Sequence, residues 1–130
     1  MDKKKTIKMC TDLPQSKKLA EILPLESADM IWVLANPDLP MIKAIAYEDS
    51  EKSKYYEILP AWSLVALLNV IPKHTGKFNV LRIDIGNDDF SIWYEEIGFG
   101  VSNELPDITM VSAVDACVEM IVNLYEQELL

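Results

Sequence analysis

Histidine and glycine, which so often carry chemistry in small proteins, are scarce in this 130-residue chain. It has one histidine, His74, and four glycines. A single imidazole excludes a two-histidine metal site and any relay that needs a second ring. Gly98 and Gly100 form a lone GxG after an apolar run; no third glycine follows and no helix opens there, so a dinucleotide fingerprint fails. Cysteine is limited to Cys10 and Cys117, which are far apart and belong to no CxxC pair. Two reduced, unpaired thiols in a reducing compartment are expected. Long apolar runs are missing too. The most apolar stretch, Ile58 to Ile71, is broken by Pro60 and falls short of a bilayer. The start, MDKKKTIKMC, has the lysines of a signal peptide without an apolar segment behind them. The expectation is a soluble, cytoplasmic protein with no membrane partner.

What is present is ordinary for a globular domain: half of the residues are apolar and a quarter are charged. At this length a single domain over residues 1–130 is expected, with one core and a frayed or weakly helical start over residues 1–12. The formal charge of −9 is unevenly placed. Residues 1–18 carry six lysines against Asp2 and Asp12, whereas residues 19–130 hold six basic and nineteen acidic side chains. A body of that sign repels phosphate backbones, so nucleic acid is not the expected partner. The lysines of the start read as a solvated face or terminus.

Local patterns predict an α+β fold. Pro14 to Leu23 reads as a helix opened by proline, with Leu19, Ile22 and Leu23 inward; Thr6 to Thr11 reads as a further helical turn with Ile7 and Cys10 inward. Met30 to Leu34 and Met41 to Tyr47 are strand-forming runs around the turn Asn36-Pro37-Asp38-Leu39-Pro40, followed by a polar loop, Glu48 to Lys54. Pro60 to Val70 reads as a second helix, apolar nearly all round and so the most buried, with Lys73, His74 and Lys77 at its C-terminal end. Ser102 to Met110 reads as a loop. A last helix from Ala113 to Glu128 opens at Ser112 with Asp115 three residues on; Val111 is placed as a staple, and Ala116, Cys117, Met120, Ile121 and Leu124 as the inner face. The order helix, hairpin, helix, hairpin, helix predicts one antiparallel sheet of about four strands with helices mainly on one face.

The best-specified segment is Phe78 to Ile97. Two strands, Phe78 to Ile85 and Phe90 to Glu96, flank the turn Gly86-Asn87-Asp88-Asp89. Pairing Ile85 with Phe90 puts Ile83 opposite Ile92 and Leu81 opposite Tyr94. All six side chains then share one face, and Val80, Arg82, Asp84, Ser91, Trp93 and Glu95 take the other. A slip of one residue would mix the faces, so the period of two sets the register. Arg82 comes to lie across from Trp93, where a cation–π pair is expected on a half-exposed face.

Candidate chemistry is thin. The acidic tip Asp84–Asp89 lacks the twelve-residue spacing and flanking helices of an EF-hand and reads as a solvated turn. Glu95 and Glu96 are adjacent on a strand and point to opposite faces, so they form no carboxylate pair. Cys10 and Cys117 lie in apolar patterns typical of inert thiols, and His74 reads as a helix-end or surface residue. No catalytic, cofactor-binding or metal-binding residue is assigned. Trp32, Trp62, Tyr55, Tyr56 and Phe99 suit a core better than a pocket. Trp93 is the exception, because the hairpin register turns it away from the apolar face. With Arg82 it is the candidate interaction surface.

Four stretches carry a resemblance: LPQSKKLAEILPLESADM (13–30), PAWSLVALLNVIP (60–72), NVLRIDIGNDDFSIWYEEIGFGV (79–101) and DACVEMIVNLYEQELL (115–130). They resemble a family of small proteins from Bacteroides-type gut bacteria, often encoded near prophage or other mobile-element genes and without an assigned activity. The resemblance implies a genomic setting and an intracellular life, and no chemistry. The leading expectation is a non-enzymatic accessory protein acting through protein contacts. The alternatives are an acidic mimic of nucleic acid that blocks a DNA-binding protein, and a small enzyme with polar side chains converging near His74 or Asp84.

Overall fold

The computed structural model describes residues 7–36, 38–50, 57–76, 79–98 and 105–130. The lysines at 3–5, the loop beyond residue 50, Tyr55 and Tyr56, Lys77 and Phe78, and Phe99, Gly100 and residues 101–104 lie outside the described residues. The fold is α+β, with three helices and two antiparallel sheets.

Helix α1 runs Leu13–Ala20. It opens on a reciprocal cap: the Gln15 N–H donates to Asp12 Oδ1 at 2.9 Å, and the Asp12 N–H donates to Gln15 Oε1 at 3.1 Å. Leu19 and Leu23 are buried as expected. The preceding residues are not helical. Cys10 forms an antiparallel bridge with Ser63, and Ile7 is 85% exposed rather than inward. Thr11 explains the difference, because its backbone is engaged elsewhere. Its N–H donates to Trp62 O at 3.0 Å, and its carbonyl accepts the Trp32 indole N–H at 2.9 Å.

The first sheet has the order β2-β1-β3, with β1 at Met30–Leu34, β2 at Met41–Lys43 and β3 at Glu57–Ala61. Strand β1 lies where the sequence places it, whereas β2 stops at Lys43 and a 3-10 turn begins at Tyr47. Strand β3 occupies residues that the pattern assigned partly to a helix. Pro60 sits opposite Ile31 in an edge strand, where a missing N–H is tolerated. Helix α2 is consequently shorter, Leu64–Val70, and starts from Ser63, whose hydroxyl accepts the Ala66 N–H at 3.3 Å. Asp29 in turn holds the Ser63 N–H and hydroxyl. This helix is not the most buried one: only Ala66 and Leu67 are buried, and Val65 is 66% exposed.

The second sheet has the order β4-β5-β6-β7: β4 at His74–Thr75, β5 at Asn79–Ile85, β6 at Phe90–Glu96 and β7 at Ile108–Met110. Strand β7 lies where a loop was expected. The sequence order is therefore helix, three strands, helix, four strands, helix, in two sheets rather than one.

Helix α3, Ala113–Glu126, packs against β6, β7 and α2. The Ser112 hydroxyl caps it by accepting the Asp115 N–H at 3.2 Å. Ala116, Cys117, Met120, Ile121 and Leu124 are all fully buried, as their spacing predicts. Val111 is 75% exposed, so it does not act as a staple. The main core joins this face to Leu19 and Leu23, Trp62, Leu67 and Ile71, and Phe90, Ile92, Tyr94 and Ile108. A smaller cluster of Cys10, Met30 and Ala61 lies under the first sheet's Trp32 and Ile42. Among the described residues no helix is long and apolar enough to cross a membrane.

Candidate functional site

The β5–β6 hairpin has the expected register throughout: Ile85 faces Phe90, Ile83 faces Ile92, Arg82 faces Trp93 and Leu81 faces Tyr94. Phe90, Ile92 and Tyr94 on β6 are buried, and the Tyr94 hydroxyl donates to Pro72 O at 2.6 Å. Burial pushes that hydroxyl's pKa well above its ordinary value. On β5 the same face is incompletely covered: Leu81 is half-buried, and Ile83 and Ile85 are 39% and 78% exposed. The cover runs out because α3 lies over β6 and β7.

Trp93 is half-buried on the opposite face, so the structure leaves its indole partly open. Arg82 is exposed, and its Nε donates to Glu95 Oε2 at 2.6 Å, a diagonal neighbour that the sequence reading did not single out. Both partners are about half exposed, so this ion pair adds little stability. Next to them the Ser91 and Thr109 hydroxyls share a hydrogen bond of 2.8 Å across β6 and β7. The surface is thus a strand face with one aromatic ring, one ion-paired cation and several hydroxyl and carboxylate groups.

The remaining sequence candidates are dispersed. His74 is exposed on β4, opposite Val80. Cys10 and Cys117 are free and buried. Burial raises the pKa of both thiols, that of Cys117 to about 12, which suits inert packing. Asp84, Asp88 and Asp89 are exposed at the hairpin tip. Among the described residues no three histidine, cysteine, aspartate or glutamate side chains are grouped to hold a metal ion. Among the described residues, clefts also lie away from these groups, one of about 460 Å³ lined by Tyr125, Glu126, Glu128 and Leu130. Another, of about 440 Å³, is lined by Ile22, Leu23, Pro24, Val70, Tyr125 and Leu130. A further cleft of about 260 Å³ lies between Ile7, Leu64 and the start of α3.

Sequence reasoning missed a polar cluster that ties the N-terminal segment to α3. Lys8 Nζ donates to Asp115 Oδ1 at 2.7 Å and to Asp12 Oδ2 at 2.9 Å, and Gln15 Nε2 donates to Asp115 Oδ1 at 2.8 Å. Partial burial opposes ionisation of Asp115, but the donors from Lys8 and Gln15 outweigh it and lower its pKa. Burial likewise opposes the charge on Lys8, yet its bonds to Asp115 and Asp12 prevail and its pKa is raised. The Asp12–Gln15 half of the cluster has the three-residue spacing of a reciprocal cap, a signal that the sequence reading passed over. The Lys8–Asp115 half spans 107 positions and left no local signal.

No protein-family model matches the chain, and neither a curated protein nor a solved structure matches it.

Proposed function

We propose that the protein acts by contact rather than by catalysis, as an accessory component in a phage or mobile-element setting, with a protein partner. In this reading it works in the cytoplasm, and the outer face of the β5–β6 hairpin is its contact surface. The observation that carries the reading is Trp93, held half-open on a regular strand beside Arg82 and Glu95. Tryptophan and arginine are the side chains most enriched at the energetic centres of protein interfaces, where a rigid ring excludes water at little entropic cost. The test is affinity purification from the native host with Trp93→Ala beside the parent protein. Trp93 lies off the apolar face, so the variant should keep its far-ultraviolet circular dichroism while losing partners that the parent retains. Equal recovery of every partner by both proteins would sink the assignment of this face.

A further inference from the structure

Strand β5 is seven residues long, but β4 accompanies only its beginning. His74 pairs with Val80 and Thr75 with Asn79, and the Leu81 N–H donates to Lys73 O at 2.9 Å. Beyond Leu81 no described strand lies beside β5 on that side. Backbone groups alternate sides along an antiparallel strand, and two bonds set the phase here. The Gly86 N–H turns inward to Asp89 O, and the Leu81 N–H turns outward to Lys73. Arg82 and Asp84 therefore bond with β6, and the N–H and C=O groups of Ile83 and Ile85 point away from it. Both side chains are exposed as well.

Open edges invite other strands, and proteins commonly blunt them with short strands, proline or lysine. The other edges here carry such devices: β2 has three residues including Lys43, β7 has three, and β3 contains Pro60. From Arg82 to Ile85 there is no proline or lysine, and the unbroken register leaves no bulge.

We propose that this edge receives an extended segment of another protein as an added strand, with apolar and cationic side chains alternating along it. The open N–H and C=O groups supply the ladder, and Ile83 and Ile85 supply the apolar side. The cationic requirement follows from charge. Residues 79–96 carry one arginine and five acidic side chains, and that arginine is already bound to Glu95, so Asp84 faces an incoming strand on an anionic surface. A second copy of this chain is a poor occupant. The two-fold pairing that serves both Ile83 and Ile85 sets Asp84 directly across from Asp84 of the copy, and like charges in that position repel. The proposal rests on the reading of the protein as one that acts by contact.

The experiment uses the full chain labelled with 15N, titrated with a short capped peptide of alternating lysine and valine and, separately, with its glutamate–valine counterpart. The lysine peptide should shift the Ile83 and Ile85 amides and slow their exchange with solvent by about tenfold or more at saturation. The glutamate peptide should leave them unmoved. Asp84→Lys should weaken binding by about fivefold, the size of a cross-strand charge pair reversed. Ile83→Pro should abolish binding while the rest of the spectrum stays in place, because the Ile83 N–H bonds to neither neighbouring strand. Unshifted Ile83 and Ile85 amides, or an equal response to the glutamate peptide, would overturn the proposal. A response confined to Trp93 and Arg82 would also overturn it, yet would leave the contact function standing.

Discussion

Thr11 is polar, fully buried and central to how the N-terminal segment is held. Its hydroxyl accepts the Trp62 N–H at 3.1 Å and shares a hydrogen bond of 2.8 Å with the buried Ser16 hydroxyl. Thr11→Val keeps the shape but takes the acceptor from the buried Trp62 N–H and leaves the Ser16 hydroxyl only its 3.5 Å bond to Thr11 O, so a loss of about 1–3 kcal/mol is expected in urea unfolding. Asp115 carries a pH dependence. Its pKa is lowered in the folded state, so its stabilising contribution is complete above the ordinary carboxyl value of roughly 4 and disappears as pH falls through the lower folded value. Lys8 has the opposite sign: its contribution is complete below roughly 10.4 and is lost as pH rises past the raised folded value. Asp115→Asn should therefore cost about 1 kcal/mol near neutrality, and the gap from the parent protein should close as pH falls below the ordinary carboxyl range. A gap that persists undiminished at acid pH would show that the carboxylate is not the stabilising form.

At the scale of elements, helix α3 organises the molecule. Its inner face meets β6, β7 and α2, and Leu124 is fully buried near its end. Leu124→Ala should cost about 2–5 kcal/mol, through lost apolar transfer and the cavity left behind. Chemical denaturation reads this directly, and a change within experimental error would mean that the site collapses around the smaller side chain. Helix α2 behaves differently because only Ala66 and Leu67 are buried, while Leu64, Leu68 and Val70 pack against the core from partly exposed positions. Its apolar composition had suggested burial all round. The sequence around it is divided instead between an edge strand, the buried Trp62 and a short capped helix.

At the scale of the whole molecule, charge sets the partners that can approach. The chain carries −9 overall, with the excess of acids lying beyond residue 18. Duplex DNA should therefore bind weakly or not at all at physiological salt, as read by fluorescence anisotropy. Micromolar, salt-sensitive binding would show that the lysines near the start dominate the field. The same negative field favours a cationic partner, which is the chemistry inferred for the β5 edge.

Period and residue type were enough to determine some features. The hairpin register follows from a period of two, because only an even alignment gathers all six apolar side chains on one side. The inner face of α3 follows from helical spacing, and the limits of β1 follow from β-branched and aromatic residues between turn signals. Strands β4 and β7, of two and three residues, are too short to show any period, and tertiary pairing alone creates them. Pro60 mimicked a helix start because proline suits both a first helical turn and an edge strand; pairing with Ile31 decides between them. The candidate contact surface divides in the same way. Alternation turned Trp93 and Arg82 outward. The exposure of Ile83 and Ile85 was decided by how far α3 reaches across the sheet and where β4 stops, distances that no local pattern encodes.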